Sequence, residues 1–384
     1  MDPDIEPVIL ANSKFSIDLL KQLCKDPKKN VFFSPLSISS ALGLVLLGAT
    51  PRPDQPPNPT ADQLSTALHF KNMRIMYHYL YEELYKEGEY KYDKKRSLQL
   101  VNRLYGEQTV DFKEDFLDMC EEWCFASFRT VDFKKNPAAA REKINSWVKD
   151  KTYEKLKDLL DPQDVSKDTR LALISAVYFE KKWATGFKTM APNKKDMMVM
   201  MVKTDKLPLG TIPHNQNKKL PAEAQILEIP YENHHLSMII ILPNDTEDLP
   251  KLVDSITYEK IMEWTEPDNM ILTDVNVEMP KFKLQESYGL NEALQALGIT
   301  ELFSDQCDLP NMSSEKLKMS KVVHKSGIEV DEKGTVAVAG DGEDVNKTLR
   351  DDPPTPITVK PPFLFFIRHN STKSIVFWGR FISP

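Results

Sequence analysis

The spacing of apolar residues changes character partway along this 384-residue chain, from the three-to-four rhythm of helices to the runs and alternations of strands. In SKFSIDLLKQLCK, Phe15, Leu19, Leu20 and Leu23 fall on one helical face, and Ser13 is placed to cap that helix. A short apolar strand, VFF at 31–33, follows. Residues 34–49, SPLSISSALGLVLLGA, are apolar nearly all round, which predicts a helix buried in the core. The stretch 51–59, PRPDQPPNP, reads as a surface loop because proline fixes φ and removes donors. Helical patterning resumes at once in TADQLSTALHF, so this loop is not a domain linker. Residues 137–156 predict an amphipathic helix opened by Pro137.

From about Thr169 the pattern is that of strands. RLALISAVYF is nearly all apolar and belongs in the centre of a sheet. HLSMIIILP (235–243) is a second buried strand, and NVEMPKFKL alternates by twos as one half-buried strand. The C-terminus reads as a hairpin, two apolar strands around NSTKS. Helices come first and strands later, without βαβ alternation, which predicts an α+β class. No repeat or internal boundary is visible, so residues 1–384 are expected to form a single domain. Glycine is scarce, at 13 residues, so many turns must use Asn, Asp or Pro.

Composition then removes several function classes. A hydrophobic fraction of 41% with 28% charged residues is ordinary for a globular protein. The net charge of −7 argues against nucleic acid as a partner, since phosphate contacts need a basic face. The one dense basic cluster, Lys91, Lys94, Lys95 and Arg96, reads as a solvated loop. The opening MDPDIEPVIL lacks a basic region followed by an apolar run, and no stretch is long enough to span a membrane. Four cysteines (Cys24, Cys120, Cys124, Cys307) are too few and scattered for a disulfide framework. Cys120 and Cys124 are spaced to share a helix face as free thiols, and no metal is expected. The reading is cytosolic. No nucleophile elbow, zinc helix, phosphate loop or dinucleotide fingerprint is present. His234 and His235 read as solvated imidazoles leading into a strand. No cofactor is expected, and the chain is not expected to be an enzyme.

Four separated segments together resemble the serpin family. NVFFSPLSISSALGLVLLGA is similar to the family's strand and buried helix behind the main sheet. RLALISAVYFEKKW resembles its central strand, which usually carries a lysine and a glycine where Glu180 and Lys181 stand here. KVVHKSGIEVDEKGT resembles the strand leading into the reactive-loop hinge. PPFLFFIRHNSTKSIVFWGRFISP resembles the C-terminal hairpin and is close to the signal-less, ovalbumin-like intracellular branch. The opening LANSKFSIDLLKQLC is similar to that of maspin, a member regarded as non-inhibitory.

The resemblance implies three β-sheets with eight or nine helices and an exposed reactive loop near the C-terminus. It implies a monomeric serine protease inhibitor, cytoplasmic with non-classical release open, that acts as a suicide substrate. A protease cuts the loop, and the freed hinge inserts as a new strand in the main sheet. The alternative is a non-inhibitory, maspin-like binding protein. Carried onto this chain, the hinge is Glu332, Gly334, Thr335, Ala337 and Ala339. Lys281 matches the lysine that pairs with the hinge glutamate, and Trp183 the aromatic packed nearby. Ser34, Ser37 and His324 match a buried polar cluster where the strands part. The family normally adds an asparagine at the position of Ser175, and a hydroxyl forms fewer hydrogen bonds than an amide, so altered sheet opening is expected. Counting seventeen residues from Glu332 puts the reactive bond at Thr348–Leu349, which suits an elastase-like enzyme. Lys347 and Arg350 are the alternatives, for a trypsin-like one. Strand alternation from Thr335 turns Asp341 and Glu343 toward the core, where the family's inhibitors carry Thr, Ser or apolar residues. The prolines at 51–59 and a compressed stretch from 190 to 209 are further departures.

Overall fold

Strands are divided among three sheets in the computed structural model, which describes residues 5–52, 54–70, 74–85, 98–122, 126–189, 197–201, 206–212, 224–332 and 353–383. A five-stranded sheet runs, across its width, β12 (Phe282–Gly289), β13 (Met319–Val330), β4 (Leu171–Phe179), β2 (Leu98–Glu107) and β3 (Ser127–Val131). A seven-stranded sheet runs β1 (Val31–Phe33), β16 (Ile375–Phe381), β15 (Phe363–His369), β9 (Leu236–Pro243), β8 (Ala224–Pro230), β7 (Leu207–Ile212) and β10 (Ile271–Thr273). The third sheet contains β14 (Thr355–Thr358), β11 (Val275–Pro280), β6 (Met197–Met201) and β5 (Lys188–Thr189). Nine α-helices lie among the described residues. They are α1 (Glu6–Leu23), α2 (Pro35–Ala49), α3 (Pro59–Ala67), α4 (Arg74–Tyr85), α5 (Glu114–Glu121), α6 (Pro137–Lys151), α7 (Leu249–Ser255), α8 (Tyr258–Trp264) and α9 (Asn291–Ala296).

β4 is buried at every position because both faces of the sheet are covered. Ala172, Ile174, Ala176 and Tyr178 pack with Ala140, Ile144 and Val148 of α6 on the outer face. On the other face, Leu171 and Leu173 join the core built on α2, and Val177 and Phe179 join Phe32, Phe365 and Phe377. α2 is apolar on all sides for this reason: it is enclosed by α1, β2, β4 and β16. Ser34 caps it, accepting from the Ser37 N–H at 3.2 Å, with Pro35 as its first residue.

Three local expectations need correction, and a fourth falls partly outside the described residues. α1 starts at Glu6, with a proline and an acid in its first turn, so Ser13 sits buried in mid-helix rather than at a cap. Ile5, Val8 and Ile9 extend the apolar face toward the N-terminus. α6 ends at Lys151, short of 156. The Thr152 hydroxyl donates to the Val148 carbonyl at 2.8 Å, and Tyr153 and Glu154 take left-handed φ of 50° and 65°. NVEMPKFKL is two strands in two sheets, β11 and β12, joined at Lys281. Its alternation slips by one residue at Pro280–Lys281, from Val277 and Met279 to Phe282 and Leu284, and that slip marks the switch of sheet. α5 ends at Glu121; Cys120 is a buried free thiol, and Cys124 lies outside the described residues.

The C-terminal hairpin shows why one glycine is required. Gly379 of β16 stands directly opposite Phe365 of β15, and the Phe365 ring lies across it where a Cβ would be. Gly379→Ala should therefore lower stability by about 1–3 kcal/mol through overpacking. Denaturant unfolding checks this, and an unchanged midpoint would show that the ring has room to move.

Candidate functional site

Lys281 is the residue at which the chain passes from the four-stranded to the five-stranded sheet, so its ammonium stands where the two sheets meet. Its Nζ lies 2.9 Å from both carboxylate oxygens of Glu332, two residues beyond the end of β13. Both side chains are about three-quarters buried, at 26% and 23% exposed. A partly solvated pair of this kind contributes about 1 kcal/mol at most, and its main effect is positional. The backbone there is held as well. The Trp183 indole N–H donates to the Asp331 carbonyl at 3.0 Å, and the Phe187 N–H to the Glu332 carbonyl at 2.8 Å. Trp183 is in turn fixed by a face-to-face stack on Tyr231, with centroids 4.5 Å apart, and by the edge of Phe187 at 5.7 Å. Glu332 is thus a defined point of departure from the sheet.

The chain next appears entering β14, which pairs in parallel with β11 in the other sheet. Between these ends lie Gly334, Thr335, Ala337, Ala339, Asp341, Glu343, Lys347, Thr348, Leu349 and Arg350, all outside the described residues.

A second cluster sits midway along the five-stranded sheet, on the face toward α2. His324 of β13 stands opposite Ser175 of β4, which stands opposite Asn102 of β2. The Ser34 N–H donates to His324 Nε2 at 3.1 Å, and His324 Nδ1 is 2.8 Å from the Ser175 hydroxyl. Ser175 and Ser37 hydroxyls are 3.0 Å apart, and Ser37 donates to Asn102 Oδ1 at 2.8 Å. The Asn102 amide returns a bond to the Ser37 carbonyl at 3.1 Å, and Ser34 Oγ donates to Val376 O at 2.8 Å. All five side chains are buried. Burial pushes the His324 ring down to about 3, so it is neutral at ordinary pH.

The structure therefore brings Lys281 to Glu332 with Trp183 beside them, and Ser34, Ser37, Ser175 and His324 into one network. Asn102 was not singled out in the sequence. It supplies the cluster with an amide from the strand next to Ser175. Its only signal was a polar residue inside LQLVNRLYG, on the parity of Leu100 and Leu104. Tyr231 and Phe187, which hold Trp183, gave no separate signal.

β4 and β13 run parallel and are hydrogen-bonded directly from Leu171 to Phe179, with no strand between them. A chain that reverses at Glu332 would lie antiparallel to both. Its insertion would replace one parallel pairing by two antiparallel ones, which are somewhat stronger per residue. The profile of the family described as Serpin (serine protease inhibitor) matches residues 10–384. This chain belongs to the serpin family. It is 40% identical to leukocyte elastase inhibitor of Bos taurus, over 99% of this chain and 100% of that protein. To the protein of the same name from Homo sapiens it is 39% identical, with the same coverage. Among solved structures, uncleaved ovalbumin superposes with a TM-score of 0.82 at 27% identity, covering 98% of this chain and 100% of ovalbumin. Maspin gives 0.80 at 30%, covering 99% and 100%. The activity of this serpin is that of its family, serine protease inhibition by loop cleavage and insertion into the main sheet. In these terms the main sheet is the five-stranded one, in its closed form with β4 and β13 paired directly. Among the described residues, no group of His, Cys, Asp and Glu is arranged to hold a metal ion, and no helix is long and apolar enough to cross a membrane.

His324 also gives this serpin a pH dependence whose sign follows from its burial. Its ring titrates near 6.5 when unfolded and near 3 when folded. The stability that depends on the neutral ring is fully present above about pH 6.5 and is lost progressively as the pH falls toward 3. His369, pushed down to about 4 by burial and then by His235, adds to the same window. The melting temperature should fall as pH drops below 6.5, and less steeply in His324→Gln. Equal slopes in parent and variant would show that the ring is not held buried and neutral.

Proposed function

We propose that this serpin traps an elastase-like serine protease, cut at Thr348–Leu349, with Glu332, Gly334, Thr335, Ala337 and Ala339 as the hinge that inserts between β4 and β13. The observation that carries the reading is the fixed departure point at Glu332, held by Lys281, Trp183 and Phe187, beside a closed parallel strand pair. The likeness to two leukocyte elastase inhibitors over nearly the whole chain supports the choice of enzyme. So does a small residue at 348, whereas Arg350 is followed by two aspartates that a trypsin-like enzyme tolerates poorly. Residues 1–384 act as one domain and a monomer, in the cytoplasm, without catalysis of their own.

Thr335 is the first core-facing hinge position, so a long charge there blocks insertion at its start. Incubated with leukocyte elastase, the parent should form a complex that survives boiling in detergent. Thr335→Arg should form none while keeping the parent's melting temperature within a few degrees. A variant that traps as well as the parent would rule out insertion as the mechanism.

Asp341 and Glu343 bear on how efficiently the loop inserts, and a complete absence of trapping would favour the second reading, a non-inhibitory maspin-like protein. On the strand alternation both carboxylates leave water late in insertion, at several kcal/mol each if unpaired. Slow insertion diverts the reaction to simple cleavage. The parent should therefore consume several molecules per protease trapped at neutral pH and improve as the pH falls. The double change Asp341→Thr with Glu343→Ala should raise the trapped fraction and the melting temperature of the loop-cleaved form. One-to-one trapping by the parent at neutral pH would show that those carboxylates stay in water.

A further inference from the structure

Away from the seam, the outer face of the five-stranded sheet carries a cationic group where α6 lies over β2 and the edge strand β3. Register sets Arg103 opposite Ser127 and Tyr105 opposite Arg129, so the four share one face of the two strands. Trp147 of α6 packs on them. The Arg103 guanidinium lies 4.1 Å from the centre of the indole, and the Tyr105 ring meets the indole edge-on with centroids 6.0 Å apart. Arg103 Nε donates to Ser127 Oγ at 2.9 Å, and a terminal nitrogen of Arg103 donates to the Tyr105 oxygen at 3.4 Å. Burial pushes the Tyr105 hydroxyl up, and the charges of Arg103 and Arg129 both pull against that rise, so two cations stand about one phenol.

These cations have no anion. Among the described residues, Arg103 bonds to Ser127 and Tyr105, Arg129 bonds to the Phe128 carbonyl, and neither meets a carboxylate. Glu107, the next residue of β2 on that face, spends one oxygen on the N–H and hydroxyl of Thr109 and the other on the N–H groups of Phe133 and Lys134. Donors are in surplus too. Ser127 and Tyr105 accept from Arg103, and neither hydroxyl has an acceptor for its own hydrogen among the described residues. Tyr105 is 1% exposed, and the Trp147 indole N–H is buried without a partner. Buried donors are normally satisfied, and an acceptor carrying negative charge would satisfy this set.

We propose that Arg103, Tyr105, Ser127 and Arg129, with Trp147 above them, bind an oxyanion of the phosphate or sulfate class, free or as a monoester. Guanidinium forks match the oxygens of such anions. A carboxylate fits less well, because donors on two strands and a helix exceed what two oxygens in one plane accept. The Arg103 fork is already held flat on the indole, so little freedom is lost when it binds. Because the donors come from β2, β3 and α6, a bound anion ties the helix to the edge of the sheet and stabilises the folded chain. Loop insertion plays no part in this binding, so a failure of the inhibitory reading leaves the site standing.

The test titrates the full chain with inorganic phosphate, inorganic sulfate and O-phosphoserine through the millimolar range, with sodium chloride at matched ionic strength as the reference. Tryptophan emission and melting temperature are both read. In the parent, phosphate or sulfate should give a saturable change in emission and a higher melting temperature, where chloride gives neither. A response to phosphoserine as well assigns a site open to esters, and a response to the inorganic ions alone assigns a free-ion site. Arg103→Gln should abolish binding, and Trp147→Phe should remove the emission change. Arg129→Gln should weaken binding about tenfold, and because Arg129 is exposed it keeps the test open should Arg103→Gln fail to fold. Equal responses in the parent and both arginine variants would be the general stabilising effect of these salts and would overturn the proposal. A parent that responds no more to the oxyanions than to chloride would overturn it as well.

Discussion

The pairing of β4 with β13 is the constraint on which the rest of this molecule turns. Two parallel strands are bonded directly at the middle of a sheet, while the chain that leaves β13 has the direction needed to lie antiparallel to both. A sheet built this way has a better-paired arrangement available to it than the one it occupies. It stays in the closed arrangement because parting the strands breaks their ladder and the cluster beneath it, so the closed state is held kinetically.

Much of the surrounding architecture can be understood as support for that seam. α6 covers it from outside through Ala140, Ile144 and Val148. From inside, the first turn of α2 reaches both sides of it: Ser34 is bonded to His324 on β13, and Ser37 to Ser175 on β4 and Asn102 on β2. α2 can lie so deep because it is apolar on all sides, opens with a proline and is capped by Ser34, which accepts from the Ser37 N–H. At the end of β13, a stacked Trp183 and the Phe187 N–H fix the two carbonyls from which the chain departs, and Lys281 holds the Glu332 side chain. The ion pair is worth little as energy; it matters because it sets direction at the point where a strand would begin to insert.

The buried polar cluster shows how few groups such a device needs. Five side chains, the backbone N–H groups of Ser34 and Ser37 and the carbonyls of Ser37 and Val376 bond to one another without a charge, since burial keeps the imidazole neutral. Under the proposed insertion, further charge would reach this sheet with Asp341 and Glu343 of the loop.

The sequence by itself determined the class of fold, the buried helix at 34–49, the central strand at 170–179 and the C-terminal hairpin, because each rests on local periodicity and a long apolar run. It also brought Lys281, Trp183, Glu332, Ser34, Ser37, Ser175 and His324 into view through motif resemblance. Only the tertiary structure decided that NVEMPKFKL divides at Lys281 between two sheets, since the one-residue slip at Pro280–Lys281 fits a bulge within one strand as well as a change of sheet. It alone decided that α1 starts at Glu6 and α6 stops at Lys151, because those ends depend on packing and left-handed turns rather than on spacing. Asn102 is the clearest case. One asparagine in an apolar strand says nothing until the register of β2 against β4 sets it opposite Ser175, two strands from His324, within reach of the hydroxyl that α2 delivers from 65 residues away in sequence.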